Sequence, residues 1–403
     1  MHVFQGINSR FYISNGAVFW YNAIVMKYVR RQIEQEIVER LNSGKINVIY
    51  GPRQSGKTTM VRHIVESQGL DAVWLDADML DVREMLADMT PAKWKSIIGG
   101  HGLLVVDEAQ RVEGIGIALK ILADNVKDAK VIVTGSSSLD LRRRMDEPLT
   151  GRKFEYVLLP PSFRELAAGN TISEKRNLED RLVYGSYPEV IASSGDRDKI
   201  LSMLASSYLY RDLLAIDGIA KSSVLDKLVR ALAFQIGQEV SFAELGGLVG
   251  IDRKTVEKYI DLLKKSFVVF ELPAYSGNQR NEIKKTRKIY FHDVGIRNAV
   301  IGNLLPLSVR PPEEIGHLWE NYLISERLKR NVNRPFPPRM FFWRTRTQQE
   351  VDYIEEEATG MSAWEMKWSD DKVRGNLPAA FTTAYPKSRT GFVSRGNVED
   401  FLV

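Results

Sequence analysis

A glycine-rich segment that directly follows an apolar run contains the residues with the clearest chemical pattern. It reads Gly51-Pro52-Arg53-Gln54-Ser55-Gly56-Lys57-Thr58, a complete match to G-x-x-x-x-G-K-[ST]. In such a loop the glycines let backbone N–H groups wrap a phosphate, and the start of the next helix adds partial positive charge. We expect Lys57 to neutralise the β- and γ-phosphates of ATP and the Thr58 hydroxyl to ligate Mg²⁺. The predicted cofactor-binding residues are Gly51, Pro52, Arg53, Gln54, Ser55, Gly56, Lys57, Thr58 and Thr59.

Two adjacent carboxylates end another apolar run further along the chain. The run Leu103-Leu104-Val105-Val106 precedes Asp107 and Glu108, and the carboxyl ends of parallel strands are where ligands bind in such sheets. We expect Asp107 to hold the Mg²⁺ shell and Glu108 to polarise the attacking water. A chance glycine turn or a simple strand-end charge pair could explain either motif alone. Their order along one chain favours a nucleotide site.

Polar residues beside the next two strands are weaker candidates. The apolar run Val131–Val133 leads into a small-residue turn in which the Ser136 hydroxyl could sense the γ-phosphate or position water near Glu108. An ordinary turn explains the same residues equally well. Arg152 is a candidate arginine finger that would reach the γ-phosphate of a neighbouring subunit. A surface arginine is the alternative, and three other arginines compete for the role: Arg142, Arg143 and Arg144.

The elements that must position these residues alternate between strands and helices. This alternation predicts a parallel α/β sheet. Four-residue spacing of apolar residues predicts a helix over 27–42 before the first strand, and a helical lid follows residue 162. The predicted strands are 46–50, 72–75, 102–106, 130–134 and 154–159.

A second unit has the pattern of a winged helix-turn-helix. Ser241 opens a short helix, Gly250 makes a turn, and a helix over 253–265 presents cations outward. We predict that Arg253, Lys254, Lys258, Lys284 and Lys285 contact DNA phosphates. Two wing strands, 267–272 and 287–291, would be joined by a basic stretch that contains Arg280, Lys284, Lys285, Arg287 and Lys288. A protein-docking or lid module with a solvated charged face is the alternative.

Near the C-terminus, charged residues lie on two short predicted strands and one helix. Asp352 and the Glu365-x-Lys367 pair lie on the strands, and Glu320 lies in the preceding helix. This set resembles the core motif of restriction endonucleases. The carboxylates could bind Mg²⁺, and Lys367 could orient water for phosphodiester attack. The sequence has Val-Asp where the archetype has Pro-Asp. A non-cleaving relative, or ordinary salt bridging on a strand face, explains the residues as well.

The composition is that of an ordinary globular protein. The 403 residues include 56 Lys plus Arg and 51 Asp plus Glu, so a net charge of only +5 leaves local clusters to indicate a polyanionic partner. The chain has no cysteine, which excludes disulfides, thiolate metal sites and cysteine nucleophiles. The longest apolar stretch near the N-terminus is too short to span a bilayer. We therefore expect a cytoplasmic protein with no membrane partner.

Several segments resemble one known family. GPRQSGKTT, LLVVDEAQ, VIVTGSSS and LTGRKFEYVLLPPSFRELAAG resemble the AAA-type ATPase domain of a large prokaryotic ATP-binding family whose C-terminal half is a domain of unknown function. YGSYPEV, YLYRDLL and KIYFHDVGIRNAV are similar to that family too. The resemblance implies an AAA-related core, oligomeric assembly as a ring or otherwise, and a lid element near the nucleotide, here Gly185, Tyr187 and Pro188.

The fold that we predict is an AAA-type P-loop α/β sheet with a helical lid, then a winged helix-turn-helix and a small α/β nuclease-like domain. ATP and Mg²⁺ are the predicted cofactors, and the predicted activity is ATP hydrolysis coupled to DNA binding or remodelling. The alternatives are a nucleotide switch that acts on protein partners and an ATP-gated, Mg²⁺-dependent nuclease. The predicted boundaries are 1–26 for an N-terminal extension, 27–165 for the ATPase domain, 166–235 for the lid, 236–295 for the winged helix and 296–403 for the last domain.

Overall fold

A computed structural model of the chain describes residues 13–14, 17–18 and 28–403, except 137–144, 146, 194, 215–221, 277–286 and 373–375. Several predictions fall outside the described residues. These concern most of the N-terminal extension and the cations Arg142, Arg143, Arg144, Arg280, Lys284 and Lys285.

A five-stranded parallel sheet forms the first half of the chain and confirms the predicted α/β fold. A two-stranded hairpin precedes it, with β1 at Ile13–Ser14 and β2 at Ala17–Val18. The sheet order is β4-β5-β6-β3-β7. Its strands are β3 Ile46–Gly51, β4 Ala72–Asp76, β5 Leu103–Asp107, β6 Val131–Ser136 and β7 Lys153–Val157. The three central strands are buried along their whole length because helices cover both faces, and this is why they read as continuous apolar runs.

Helices connect these strands and cover the sheet. They are α1 Glu34–Arg40, α2 Lys57–Ser67, α3 Leu80–Ala87, α4 Pro91–Ile98 and α5 Ile115–Asn125. The prediction of a helix over 27–42 was wrong at its start. The backbone N–H of Arg31 and the Tyr28 hydroxyl both donate to the Glu34 carboxylate. These bonds hold the incoming chain in a non-helical approach, and α1 begins only at Glu34.

The region after the sheet is helical, as predicted. Its helices are α6 Phe163–Ala167, α7 Thr171–Arg176, α8 Leu178–Tyr184, α9 Pro188–Ala192, α10 Arg197–Leu214 and α11 Ser222–Phe234. Ser162 and Glu165 cap α6 reciprocally, since each side chain accepts a hydrogen bond from the other residue's backbone N–H.

Two helices and a small antiparallel sheet follow in the order predicted for a winged helix. The helices are α12 Phe242–Val249 and α13 Arg253–Lys265, and the strands are β8 Glu239–Val240, β9 Val269–Pro273 and β10 Arg287–Phe291 in the order β8-β10-β9. Strand β9 starts two residues later than predicted. Phe267 adopts a left-handed backbone (φ 55°) where α13 ends.

The C-terminal region places a four-stranded sheet beside a long helix. The helices are α14 Val294–Ile301, α15 Pro312–Asn331, α16 Ala379–Ala384 and α17 Val398–Leu402, and the strands are β11 Arg339–Arg344, β12 Glu350–Glu357, β13 Gly360–Met366 and β14 Arg389–Val393. Short 3₁₀ turns occupy Ala109–Arg111, Leu307–Val309 and Asp370–Lys372. One cluster of buried apolar side chains runs from Phe163 to Leu402, so the lid, the middle region and the C-terminal sheet share a core. No helix in the described part of the chain is long and apolar enough to cross a membrane.

Candidate functional site

The glycine-rich loop lies between β3 and α2, at the carboxyl edge of the parallel sheet. Gly51 ends β3, and a Cβ there would lie 2.1 Å from the carbonyl oxygen of Leu158, the residue after β7, so only glycine allows this close approach. Gly56 has φ 95° at the N-cap of α2, a conformation that side chains other than glycine rarely adopt. Backbone N–H groups at the start of α2 are left to face an anion.

Lys57 is buried inside this loop. Its ammonium donates to the carbonyl oxygens of Gly51 at 3.0 Å and Pro52 at 2.7 Å. The side chain is 4% exposed, and its charge is therefore held at the centre of the loop. This is the position that neutralisation of bound phosphates requires.

Thr58 and Asp107 meet at the same edge, although they lie far apart in sequence. The Thr58 hydroxyl donates to one Asp107 oxygen at 2.9 Å, and the Thr134 hydroxyl from β6 donates to the other. Hydroxyl and carboxylate oxygens are ligands that Mg²⁺ accepts. The Ser55 and Ser136 hydroxyls nearby are buried and have no hydrogen-bond partner within the described chain, so the residues present fit a phosphate-bearing ligand with Mg²⁺.

Glu108 is held in an uncommon conformation at the tip of β5. Its backbone is left-handed, with φ 53° and ψ 38°, which is costly for a residue with a side chain and is often found at functional sites. Its N–H donates to the Thr134 hydroxyl at 3.2 Å. The Gln110 amide donates to its carboxylate, while the Gln110 oxygen accepts from the Ser136 backbone N–H at 3.2 Å. Sequence reasoning proposed the Ser136 hydroxyl and missed Gln110, whose place directly after Asp-Glu-Ala was the available signal.

Arg31 was not identified from the sequence, and it connects the loop to two other segments. Its guanidinium donates to the Ser55 carbonyl at 3.0 Å and the Leu159 carbonyl at 2.6 Å, and it pairs with Glu165 at 3.2 Å. Burial alone would raise the pKa of Glu165, but the Arg31 charge and backbone hydrogen bonds from Ser162 and Gln32 outweigh it and lower that pKa. Glu165 therefore stays ionised beside Arg31.

The start of α9 lies against the phosphate loop, where the family resemblance implies a lid element. A Cβ on Gly56 would lie 3.9 Å from the Pro188 ring. The preceding segment is fixed by Asp293, which accepts from the Ser186 N–H at 2.8 Å. A Cβ on Gly185 would lie 1.9 Å from the same carboxylate, so glycine is required there.

Arg152 lies at the amino ends of the strands, whereas the phosphate loop lies at their carboxyl ends. It directly precedes β7, and its carbonyl accepts from the N–H of Ile46, the first residue of β3. Its guanidinium pairs with Asp124 at 2.6 Å. Within one chain Arg152 therefore does not join the nucleotide site, and a role toward a neighbouring subunit stays a prediction.

Three carboxylates of the C-terminal region come together beside a buried lysine. Single oxygens of Glu320, Glu350 and Asp352 all lie within 4.8 Å of one another. The Lys288 ammonium, 1% exposed, lies 2.8 Å from Glu320 and 2.5 Å from Glu350. The prediction that Lys288 is a wing cation was therefore wrong, because its strand β10 turns this side chain into the cluster. Glu350 was not identified from the sequence.

Two lysines and the burial of Asp352 reduce the negative charge of this cluster. Burial would lower the pKa of Lys288, but Glu320 and Glu350 outweigh it and raise that pKa. Burial, together with the charges of Glu320 and Glu365, raises the pKa of Asp352 to about 8. Lys367, predicted to orient water, pairs with Glu365 at 2.5 Å.

Among the described residues, three exposed cations without a carboxylate partner lie at the start of α13. Arg253, Lys254 and Lys258 are exposed there, as predicted. Asp252 caps the helix by accepting from the backbone N–H groups of Lys254 and Thr255. Arg287, by contrast, is paired with Glu271.

Comparison with known proteins matches three family models to this chain. An AAA domain matches residues 43–167, a domain of unknown function (DUF8612) matches 175–306, and a further one (DUF4143) matches 315–401. An uncharacterized protein of Mycobacterium tuberculosis is 26% identical over 331 residues, which cover 81% of this chain and 71% of that protein. An uncharacterized protein of Haemophilus influenzae is 24% identical over 300 residues, which cover 68% and 73%.

Solved structures with a related fold include Walker-type ATPases. A Walker-type ATPase of Pyrococcus abyssi matches with a TM-score of 0.47 and 16% identity, over 68% of this chain and 96% of that one. The Thermotoga maritima RuvB Holliday junction branch migration motor matches with a TM-score of 0.28 and 15% identity, over 64% and 95%. The family models, rather than these structures, show that the chain has an AAA domain of the P-loop class and a C-terminal DUF4143 domain, and its predicted resemblance to prokaryotic AAA-type ATP-binding proteins is confirmed.

Proposed function

We propose that the chain binds ATP with Mg²⁺, hydrolyses it, and couples hydrolysis to DNA binding or remodelling by translocation, unwinding or branch migration. One observation carries the hydrolytic part. Lys57, Thr58, Asp107 and Glu108 come from two segments of the chain and converge at one edge of the sheet. This is the arrangement that phosphoryl transfer to water requires.

Each protein group has a defined task in this proposal. Bound Mg²⁺ would neutralise phosphate charge, with the Thr58 hydroxyl and the Asp107 carboxylate as its protein ligands. Lys57 offers its ammonium to the β- and γ-phosphates. Glu108 acts as the general base that orients the attacking water and accepts its proton, and Gln110 fixes the direction of the Glu108 carboxylate.

Exposed cations at the start of α13 support the DNA part of the proposal. Arg253, Lys254 and Lys258 have no carboxylate partner among the described residues, so their charges are available to phosphates. Following the resemblance stated for the sequence, we further propose a homo-oligomer, as a ring, in which Arg152 releases Asp124 to reach the neighbouring nucleotide.

A metal-dependent nuclease is less well supported than this function. The Lys288 ammonium lies within 2.8 Å of two of the three clustered carboxylates and supplies positive charge where a divalent cation would have to bind. We therefore propose that the carboxylate cluster has a structural role. If DNA has no effect on ATP turnover, the alternative function is a nucleotide switch that acts on protein partners.

ATP turnover with and without DNA tests the proposal. We expect duplex, single-stranded or branched DNA to raise phosphate release, and reversal of Lys254 and Lys258 to Glu to remove the stimulation but not the basal rate. A matched control reverses Lys95 and Lys199, two exposed lysines on α4 and α10. Turnover that ignores every nucleic acid, or stimulation that survives in the Lys254 and Lys258 variant, would contradict the DNA part.

A further inference from the structure

A concave basic pocket lies between α6, at the start of the lid, and one end of the C-terminal sheet. The carboxylate cluster around Lys288 does not line this pocket. The cavity measures about 530 Å³. Its walls include the end of β12, the β12–β13 turn, α6 and the last turn of α15. Six cations and two carboxylates line it, namely Arg164, Arg327, Arg330, Arg334, Lys387, Arg389, Glu355 and Glu357.

The positive charge of this pocket is not balanced by the protein. The Glu355 carboxylate accepts from the Arg327 guanidinium, with one contact at 2.9 Å, and Glu357 pairs with Arg334 at 2.9 Å. Both pocket carboxylates are thus engaged. Within the described chain the remaining four cations have no carboxylate partner. They are Arg164, Arg330, Lys387 and Arg389.

Repulsion among the guanidiniums is also visible at Arg330. Burial and the positive charges of Arg327, Arg164 and Arg334 lower its pKa, against the attraction of Glu355. An anion placed between these side chains would relieve that repulsion. Guanidinium groups hold phosphate oxygens in pairs, so phosphate is the anion that the set of donors favours.

We propose that this pocket binds a small ligand with several phosphate groups, from either a nucleoside oligophosphate or inorganic polyphosphate. The cavity has the size of a small-molecule site, which is roughly 300–1,000 Å³. The four unbalanced cations come from α6, α15, β14 and the turn before β14 and surround a concavity, whereas an extended nucleic-acid strand fits a stripe of charge. Arg164 and Arg389 are the exposed phosphate contacts, and Arg330 is the deeper one.

Binding to the full chain tests this site independently of the proposed function. The Lys57→Ala background disables the phosphate loop, and calorimetric titration with inorganic tripolyphosphate and with ATP then reports on the pocket. We expect saturable binding that weakens about tenfold or more in Arg164→Ala/Arg389→Ala, since this variant loses two charge-assisted contacts to phosphate. The charge-matched control is Lys95→Ala/Lys199→Ala, which we expect to bind as the background does.

The two ligands distinguish the sources. Tighter binding of ATP assigns a nucleoside oligophosphate, and equal or tighter binding of tripolyphosphate assigns polyphosphate. Three results would overturn the proposal. The Arg164/Arg389 variant and its control could bind with equal affinity, or neither ligand could show saturable binding. The third is that these arginines affect only the binding of duplex DNA. Lys387→Ala, at an exposed turn, is a second variant whose fold is not at risk.

Discussion

Arg31 donates a hydrogen bond from its guanidinium to the carbonyl oxygen of Ser55, 3.0 Å away in the centre of the phosphate loop. The same guanidinium pairs with Glu165 in the first helix of the lid. One buried cation therefore joins the segment before α1, the nucleotide loop and the lid. The shape of the loop depends on a residue outside the P-loop motif.

We predict that Arg31→Met weakens ATP binding and lowers the free energy of unfolding. The change leaves the buried Glu165 carboxylate without its cation, and breaking a buried pair costs about 3–5 kcal/mol. Urea unfolding and titration with a fluorescent ATP analogue measure the two effects. Arg30→Met, at the exposed neighbouring position, is the control. Equal stability and affinity in the two variants would show that Arg31 does not support the loop.

Gln110 is predicted to orient the Glu108 carboxylate. Gln110→Ala should lower kcat by about tenfold or more and leave KM nearly unchanged, because the general base loses its positioning contact while the phosphate loop is intact. Steady-state ATPase kinetics give both parameters. Glu113→Ala, on the exposed side of the same loop, should behave as wild type. A rise in KM at constant kcat would instead place Gln110 in nucleotide binding.

Lys288 is predicted to neutralise the C-terminal carboxylate cluster. Lys288→Met should lower the free energy of unfolding by about 3–5 kcal/mol, since Glu320 and Glu350 would lose a buried counter-charge. Adding Glu320→Gln should recover part of the loss. Arg287→Met on the same strand removes a more exposed pair with Glu271 and should cost about 1 kcal/mol or less. Denaturant unfolding measures these free energies, and an unchanged free energy of unfolding in Lys288→Met would refute the structural role.

His292 predicts a specific loss of stability in acid. Burial and the charge of Lys329 lower the pKa of this imidazole from 6.5 to about 3, so the folded protein excludes a proton that the unfolded chain binds. Stability from this group is complete above pH 6.5 and is lost as the pH falls, by about 2 kcal/mol between pH 7 and pH 5. His292→Gln, which cannot titrate, should show a smaller difference in urea unfolding between the two pH values. An identical pH dependence in both proteins would mean that His292 titrates in the folded protein as it does in the unfolded chain.

The nucleotide site could be predicted because its signals are local. Gly51, Gly56, Lys57 and Thr58 lie in one short motif, and Asp107 ends a strand whose apolar run is unambiguous. A parallel sheet then brings the ends of its strands to one edge without further information. The five strands were accordingly predicted close to their observed bounds.

Contacts that join distant segments could not be predicted in the same way. Arg31 lies within the range predicted as helix, whereas the structure places its guanidinium against Ser55 and Leu159 and shows the bonds to Glu34 that delay the start of α1. Lys288 lies in a basic stretch and was assigned to the surface with it. The register of β10 against β9 decides which way that side chain points, and register depends on the whole sheet.

Paired measurement of ATP affinity and single-turnover phosphate release tests most directly whether Lys57 binds and Glu108 splits the triphosphate. We predict that Lys57→Ala abolishes affinity, and that Glu108→Gln keeps affinity but slows phosphate release by about 10²-fold or more. Glu113→Gln should match wild type in both. Unchanged affinity in Lys57→Ala, or unchanged phosphate release in Glu108→Gln, would contradict the account.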